Sequence, residues 1–558
     1  MSIFSSVRVN TPKSNRFNLS HDVKLTMQAG MLTPIMCMEV LPGDKFSCNT
    51  EILLRMAPLI APMMQNVDVY THFFFVPNRL IWDKWEDFIT NGVDGTDFPP
   101  MPLLQGVPSA NLGNKTLADY LNFPPPENAD VTCNDVFELP FRAYQLIYNE
   151  YYRDQNLVEE VDIHKDYSGN TTYAQHKDYI DQIMSLRRRA WKKDYFTSAL
   201  PFPQRGEDVE LPLTGDGQVY ADTPGGNLYS IGDPVSIGQS SVKGEANLDV
   251  RYVQKGFGNV GNLVTQATDT TPETDLWIGN YVDSDGTPRV QTELDNAAIH
   301  SLKVNLSNVN SATINELRRA IAAQRFLEAR ARGGSRYIEQ IKTIFGVNSS
   351  DARLQRPEFL GGGKSPVVVS DVLQTSQSTS SSPQASPAGH AVSVQKTHQF
   401  SRFFEEHGFI IGIMSVMPKA GYFQGMPKAY MRRDSLDYYW PQFARLGEQE
   451  IATGELYYQY GNDKDNKTLF GYTPRYAEYK FMNDTIHGDF RDSLDFWTMA
   501  RKFANTPKLN EDFLYNVQDA FNQPFAVQES DFDKLWVVCH NTVIAKRRMP
   551  KYGTPSII

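Results

Sequence analysis

Two apolar runs that lie far apart in the chain most constrain its fold. Residues 67–77 read VDVYTHFFFVP, which alternates at first and then becomes fully apolar, and residues 408–418 read GFIIGIMSVMP. Composition of this kind, ended by proline, favours strands that are buried inside a sheet. Both runs are shorter than the ~18 apolar residues of a membrane helix. The sequence therefore predicts central β-strands, and no membrane segment.

The size and composition allow a large β-rich core. The chain has 558 residues, of which 41% are hydrophobic and 12% aromatic, with 33 prolines and 37 glycines. Such a composition favours β-structure with ordered loops. By length the chain forms either several domains or one large β domain with long insertions. The residues alone leave both alternatives open.

A few segments have helical patterns. Thr313 and Glu316 have capping-box spacing, and Gly333 and Gly334 end the helix that follows. A second helix runs up to Gly346, and the sequence RLQRPEFLGGG then predicts an extended arm that could lock one subunit to its neighbours. The adjoining GGGKS lacks the first glycine of a phosphate-binding loop, so we reject that reading.

The charge and the cysteines exclude several function classes. The net charge is −11 and the pI about 5.5, so the bulk charge does not favour general nucleic-acid binding. The four cysteines form no CxxC pair and no zinc-ligand spacing, which predicts free thiols in a reducing cytoplasm. The polar N-terminus has no signal-peptide pattern. We expect no cofactor and no bound metal.

Two basic clusters are candidates for contact with nucleic acid. The first lies at residues 187–193 and includes a tryptophan that could stack on a base, and the second follows the last predicted strand. The alternatives are a solvated turn, ion pairs between subunits, or a solubilising tail. The candidate residues are Arg187, Arg188, Arg189, Trp191, Lys192, Lys193, Lys546, Arg547, Arg548 and Lys551.

A set of arginines is a candidate for subunit contacts. Arg318, Arg325 and Arg332 are spaced seven apart, so they share one face of the first predicted helix. Arg353 and Arg356 in the predicted arm complete the set. Ion pairs with nearby glutamates, exposure to solvent, and contact with DNA are the alternatives.

The sequence contains no convincing catalytic constellation. The ten histidines are scattered without an HExxH pattern, and no GxSxG elbow occurs. The GFGNVG run matches a dinucleotide motif, but no βαβ pattern surrounds it. This absence argues only mildly against an enzyme, so a structural protein is one of three classes that the residues alone leave open. An enzyme on a β scaffold and a free nucleic-acid-binding protein are the alternatives.

Several segments carry a family resemblance. Residues 333–363 read GGSRYIEQIKTIFGVNSSDARLQRPEFLGGG, and residues 72–92 read HFFFVPNRLIWDKWEDFITNG. Together with DSLDYYWPQFARLGEQEI and FGYTPRYAEYKF, they resemble the major capsid proteins of gokushoviruses, which are single-stranded DNA phages of the Microviridae. The resemblance extends over most of the chain and is weakest over residues 206–300.

The resemblance implies a fold and an assembly. The fold would be mainly β, an eight-stranded antiparallel jelly roll with large loop and helical insertions. Residues 1–22 would form an N-terminal arm, residues 23–205 and 300–558 a discontinuous jelly-roll domain, and residues 206–299 a loop-rich insertion, the candidate threefold surface protrusion.

The function that the resemblance implies is that of a structural shell protein rather than an enzyme. Sixty copies would form a T=1 icosahedral capsid around a circular single-stranded DNA genome. The implied partners are further copies of the chain, a small basic DNA-binding protein, the genome and a receptor on the host bacterial surface, with no membrane. The protein would be made in the host bacterial cytoplasm and reside in the virion.

Overall fold

The computed structural model describes most of the chain outside its middle region. The described residues are 13–128, 131–207, 209, 314–334, 336–373, 387–396, 399–527, 529 and 531–552, together with five short strands between residues 218 and 305. The chain divides into two compact units. The first comprises Met1–Glu207 and Arg325–Ile558, and the second Asp208–Gln324.

Within the described part of the first unit, eleven strands build two large sheets. In chain order they are β1 (Asn15–Asn18), β2 (His21–Met27), β3 (Thr33–Val40), β4 (Lys45–Met56), β5 (Val67–Pro77), β6 (Glu358–Pro366), β7 (Val368–Leu373), β8 (Pro387–Lys396), β9 (Phe400–Phe403), β10 (Gly408–Pro418) and β11 (Leu535–Arg547).

The two sheets are antiparallel throughout, which makes this unit mainly β. In the first sheet, β1 and β2 pair with one side of β11, β4 pairs with the other, and β8 and β9 then pair with β4, with β7 beside β8. The second sheet has the order β6–β5–β10–β3. Some strands that follow one another in the chain, such as β4 and β5, lie in different sheets, whereas others, such as β5 and β6, pair directly.

The space between the two sheets is filled by one hydrophobic core. Phe46 and Leu54 of β4 and Val537 of β11 enter it from the first sheet, and Phe73 and Met414 enter it from the second. Every second residue of β11 is buried from Leu535 onwards, as expected for a strand with one face in a core. The sheets thus pack face to face.

The second sheet is also covered on its other face. Phe74 of β5 and Ile411 of β10 pack in a separate core with Trp82 and with Tyr144 of the helix Leu139–Ile147. Because both faces are covered, β10 is buried at each of its residues. This burial explains why its sequence is apolar without alternation, and it confirms the predicted central strand.

Outside the two large sheets, the described residues form helices and short strands. A third core joins Tyr195 and Phe196 to residues between 422 and 515, among them Tyr422, Ile451 and Phe470. The described α-helices are Trp85–Thr90, Leu117–Tyr120, Leu139–Ile147, Lys177–Ile183, Ile314–Gly333, Tyr337–Gln340, Lys428–Met431, Asp463–Asn466, Glu511–Tyr515 and Gln518–Phe521. Single π-helical turns at Tyr148–Tyr152 and Ile341–Phe345 extend two of them.

The remaining described elements are 3₁₀ turns and short strands. The 3₁₀ turns are Asn78–Leu80, Ser109–Leu112, Ser435–Asp437, Pro441–Phe443, Thr453–Glu455, Ala477–Tyr479, Gly488–Arg491 and Asp495–Trp497. The short strands are Leu103–Gln105, Val107–Pro108, Thr132–Cys133, Val136–Phe137, Asn170–Thr172, Gln218–Asp222, Leu228–Ser230, Tyr281–Val282, Pro288–Arg289, Leu302–Asn305, Gly421–Tyr422, Glu448–Ala452, Leu469–Pro474 and Asp484–Thr485.

Two segments expected as arms take part in the sheets. Part of the predicted N-terminal arm forms β1 and the start of β2, while residues 1–12 lie outside the described residues. The RLQRPEFLGGG segment enters β6, which pairs with β5 of the same chain. A Cβ at Gly362 would lie 2.5 Å from the Thr71 carbonyl oxygen and 2.7 Å from the His72 ring, so only glycine allows this close pairing.

A buried ion pair lies within the helical layer that covers the second sheet. Arg142 Nε donates to Glu138 Oε1 at 2.8 Å, and the guanidinium also donates to the carbonyl oxygens of Ile81 and Tyr167, both at 3.2 Å. The Tyr179 hydroxyl donates to the same carboxylate. Both charged side chains are fully buried.

We expect Arg142→Met to destabilise the subunit strongly. Removing the guanidinium leaves the Glu138 carboxylate buried without its counter-ion, which costs about 3–5 kcal/mol. Denaturant unfolding of the unassembled subunit measures the loss. Lys84→Met, which removes the exposed Lys84–Asp87 pair, is the control and should cost no more than about 1 kcal/mol. Equal effects of the two variants would contradict the assignment.

His72 makes the stability depend on pH. Its ring stacks on Tyr152, its Nδ1 lies 2.7 Å from the Tyr152 hydroxyl oxygen, and burial lowers the pKa of His72 to about 4, with a further contribution from Arg189. The unfolded chain, with a histidine pKa of about 6.5, takes up a proton before the folded state does. The contribution of neutral His72 to the free energy of unfolding is therefore fully present above about pH 6.5. It is lost as the pH falls towards 4.

The expected loss at His72 is about 1.5 kcal/mol between pH 6.5 and pH 5. His72→Gln removes the titrating group, so the free energy of unfolding of the variant should change less over this interval. Denaturant unfolding at a series of pH values provides the measurement. The same pH slope in the variant and the wild type would refute the role of His72.

Candidate nucleic-acid interface

Two of the five cations in the first basic cluster have partners inside the subunit. Arg187 Nε donates to Gln145 Oε1 at 2.7 Å. Arg189 donates to the Ser415 hydroxyl at 2.7 Å, and its guanidinium lies 4.0 Å from the centre of the Tyr70 ring. Burial lowers the pKa of both arginines. These two cations therefore serve the packing of the subunit.

Trp191 is also engaged inside the subunit. It is 2% exposed, its Nε1 donates to the Asn516 carbonyl oxygen at 3.1 Å, and the Arg501 guanidinium lies 5.1 Å from its ring. The folded subunit thus presents no Trp191 face on which a base can stack. Arg188, Lys192 and Lys193 are exposed and remain as a smaller basic patch.

The second basic cluster lies at the end of β11. Lys546, Arg548 and Lys551 are exposed. Arg547 instead pairs with Asp44, its Nε 3.0 Å from the carboxylate, and its guanidinium lies 5.2 Å from the Phe46 ring. The cluster therefore presents three exposed cations, and a fourth whose charge is neutralised by a carboxylate of the same subunit.

Strand pairing adds further residues to this second cluster. Lys546 lies directly opposite Arg16 of β1 on one side and Lys45 of β4 on the other, and Phe403 of β9 lies opposite Lys45. Directly paired residues project from the same face of a sheet. All four side chains are exposed, Phe403 at 51%. We call Arg16, Lys546, Lys45 and Phe403 the basic row.

The basic row is unusual because like charges on paired strands destabilise a sheet. Among the described residues, no acidic side chain forms an ion pair with Arg16, Lys45 or Lys546. Departures from such local rules occur where a surface serves a function, and an anion along the row would remove the repulsion. Sequence reasoning missed Arg16, Lys45 and Phe403 because only strand register makes them neighbours of Lys546.

The five interface candidates fall into two groups. Arg332 pairs with Glu448 and donates to the Ser198 carbonyl oxygen at 3.0 Å. Arg356 is 8% exposed, and its Nε lies 3.4 Å from Asp351 Oδ1. Both residues therefore have partners within their own chain.

The other three candidates are accessible. Arg325 and Arg353 are exposed in the first unit, and Arg318 is exposed in the second. These three retain the charge and the accessibility that a contact between subunits requires.

The described residues provide little chemistry beyond these surfaces. Within them, no three His, Cys, Asp or Glu side chains are grouped so that they could hold a metal ion. No helix in the same residues is long and apolar enough to span a membrane. The four cysteines are free thiols, and burial raises the pKa of Cys48 to about 11 and that of Cys539 to about 12.

Comparison with known proteins identifies the class of protein. A family model described as "Capsid protein (F protein)" matches residues 5–557. Capsid protein VP1 of Chlamydia phage 1 is 36% identical over 600 residues, covering 99% of this chain and 97% of the relative. Capsid protein VP1 of Bdellovibrio phage phiMH2K is 35% identical, with 98% and 96% covered. Capsid protein VP1 of Spiroplasma virus 4 is 32% identical, with 99% and 97% covered.

The chain therefore belongs to the phage capsid protein family that this model describes. The match over nearly the full length confirms the resemblance to Microviridae capsid proteins that the sequence predicted. Membership defines a structural protein of the virion that assembles with further copies of itself into a shell.

Proposed function

We propose that this protein is the major capsid subunit of a small phage, and that sixty copies form a T=1 icosahedral shell around a circular single-stranded DNA genome. The observation that carries the proposal is the match to capsid proteins over almost the entire chain. An antiparallel two-sheet domain suits a shell because most strand edges are paired while the loops remain free to meet neighbours.

We further propose that the two sheets are an eight-stranded jelly roll. Strands β2, β3, β4, β5, β6, β8, β10 and β11 are then its first to eighth strands. One sheet has the order first, eighth, third and sixth, and the other the order second, seventh, fourth and fifth. This interleaved order is the pattern of two Greek keys in a viral jelly roll. β1, β7 and β9 extend the first sheet.

The assembly proposal is tested by electron microscopy of the purified protein. Uniform icosahedral particles of one size are expected, since closed symmetric shells reuse the same interfaces in every subunit. Image classification yields the number of copies. A protein that remains a soluble monomer at high concentration would overturn the proposal, and particles with another copy number would overturn only the T=1 assignment.

We propose the division of roles along the chain as follows. Residues 23–205 and 300–558 form the shell domain, and the N-terminal arm within residues 1–22 ties subunits together. The insertion at 206–299, most of which lies outside the described residues, supplies a threefold protrusion that meets the receptor on the host bacterial surface. Support comes from the separate compact unit Asp208–Gln324, which interrupts the first unit as an insertion does.

Deleting residues 225–290 tests the role of the insertion. We expect particles that assemble but no longer adsorb to host cells, because the shell contacts would lie outside the deleted segment. Electron microscopy measures assembly and a binding assay on host cells measures adsorption. Loss of assembly would refute the assignment, and so would normal adsorption of the deleted particles.

We propose that the basic row faces the packaged genome. Its three cations would contact phosphates, and Phe403 would stack on a base, the combination used by proteins that bind single strands without sequence preference. Arg548 and Lys551 follow the row, and Arg188, Lys192 and Lys193 form the second candidate patch. Since the subunit carries a net charge of −11, a small basic partner would neutralise much of the DNA. Synthesis and assembly would take place in the host cytoplasm.

Neutralising the row should weaken the hold on DNA. The triple variant Arg16→Gln/Lys45→Gln/Lys546→Gln should package less DNA, and the salt slope of single-stranded DNA binding should fall by about 2, since each phosphate contact contributes about 0.7. Binding titrations of the purified protein across salt concentrations measure the slope.

Two further variants make this comparison specific. Lys342→Gln/Lys464→Gln/Lys467→Gln removes the same charge from other exposed lysines and should leave the slope unchanged. Arg188→Gln/Lys192→Gln/Lys193→Gln tests the rival patch. Unchanged DNA content and slope in the row variant would refute the proposal for the row, and a loss only in the second variant would assign DNA contact to that patch.

A further inference from the structure

A continuous segment of the first unit is exposed although it is rich in large apolar side chains. Each residue from 433 to 442 is exposed. Tyr438 is 54% exposed, Tyr439 50% and Trp440 45%, and Tyr479, which lies beside them, is 52% exposed. We call these four aromatic residues the aromatic plateau.

The plateau is contiguous because Arg432 lies beneath it. The Arg432 guanidinium lies 5.1 Å from the Tyr438 ring and 4.6 Å from the Tyr479 ring. Its side chain is 8% exposed and pairs with Glu478 at 3.3 Å. The Tyr439 ring packs edge-on against the buried Tyr476 ring, with 4.9 Å between the ring centres. The outer rings are thus supported by buried groups.

The segment is also held by its own hydrogen bonds. The Asp437 carboxylate accepts the backbone N–H groups of Arg433 at 2.7 Å and of Asp434 at 2.9 Å, which lowers the pKa of Asp437. Trp440 Nε1 donates to the Ser435 carbonyl oxygen at 2.9 Å. The plateau therefore has a defined shape in the free subunit, and a partner that binds it meets little ordering cost.

The size and chemistry of the plateau suit the centre of a protein–protein contact. Four aromatic side chains that are half exposed present about 400 Å² of surface. Patches of about 300–600 Å² on a monomer are often functional, and a stable interface buries about 800 Å² on each partner. Tyrosine, tryptophan and arginine are also the residue types that contribute most to binding energy in such interfaces.

The charges around the plateau favour a protein partner over a polyanion. Arg433 and Lys480, which neighbour the plateau in the sequence, are exposed, and so are Asp434 and Asp437, so both signs of charge are present. A mixed polar rim around an apolar centre is the usual anatomy of a protein interface, whereas a DNA-binding surface carries an excess of cations. A capsid protein has one protein partner present in every assembly, which is a further copy of itself.

We propose that the aromatic plateau is buried against a second copy of this chain in the assembled shell, with Leu436, which is 57% exposed, at its border. The proposal rests on the proposed capsid function and assigns a specific contact surface to it. The plateau then acts as the energetic centre of that contact, and the surrounding charges set its orientation.

The test compares the assembly of variants. Tyr439→Ser/Trp440→Ser should raise the protein concentration needed for particle formation at least about 100-fold, because central aromatic residues dominate such contacts. Leu436→Glu, which places a charge at the border without removing a supporting ring, should also impair assembly. Tyr460→Ser, at an aromatic residue that is 87% exposed elsewhere, is the matched control and should assemble like the wild type.

The readouts separate this contact from other roles. Sedimentation and electron microscopy measure assembly, and thermal unfolding of the unassembled variants shows that they are folded. If the double variant does not fold, Leu436→Glu decides the question. If the folded variants assemble like the wild type, the proposal is overturned. This holds also if their particles package less DNA or no longer adsorb to host cells, because the plateau would then serve the genome or a receptor. A wild-type protein that never assembles would overturn the capsid function itself.

Discussion

The structure depends most on the antiparallel pairing of β5 with β10. These strands pair along their full lengths, from Gly408 opposite Pro77 to Pro418 opposite Val67. They form the middle of a sheet that is buried on one face by the other sheet and on the opposite face by the helical layer. Residues of this pair contribute to both of the cores that cover the sheet.

Long-range strand pairing in the first sheet creates the candidate nucleic-acid surface. β11 lies between β1 and β4, so cations from the N-terminus, from the fourth strand and from the C-terminus meet on one face. The repulsion between them is a cost that burial in the adjacent core offsets. Arg547, one position beyond Lys546, points to the other side and pairs with Asp44. Alternation along a strand thus separates a structural arginine from a lysine that is free to bind.

Arginine has three distinct roles in this subunit. Arg142 and Arg356 are buried with carboxylates, Arg432 supports aromatic rings that face outward, and Arg353 is exposed. These roles follow from where the backbone directs each side chain. A planar guanidinium with several donors suits each of these positions, since it can pair with a carboxylate and stack on a ring at the same time.

The sequence by itself determined the element types and the family. The apolar runs predicted the central strands, the glycines at 333–334 and 346 predicted the helix ends, and the quoted segments predicted the phage capsid family, because each of these signals is local. The tertiary structure alone decided which charged residues are accessible. It buried Trp191 and engaged Arg187, Arg189 and Arg356 inside the subunit, and it placed Arg16 and Lys45 beside Lys546. Burial and strand register depend on contacts between distant residues, and no local pattern encodes those contacts.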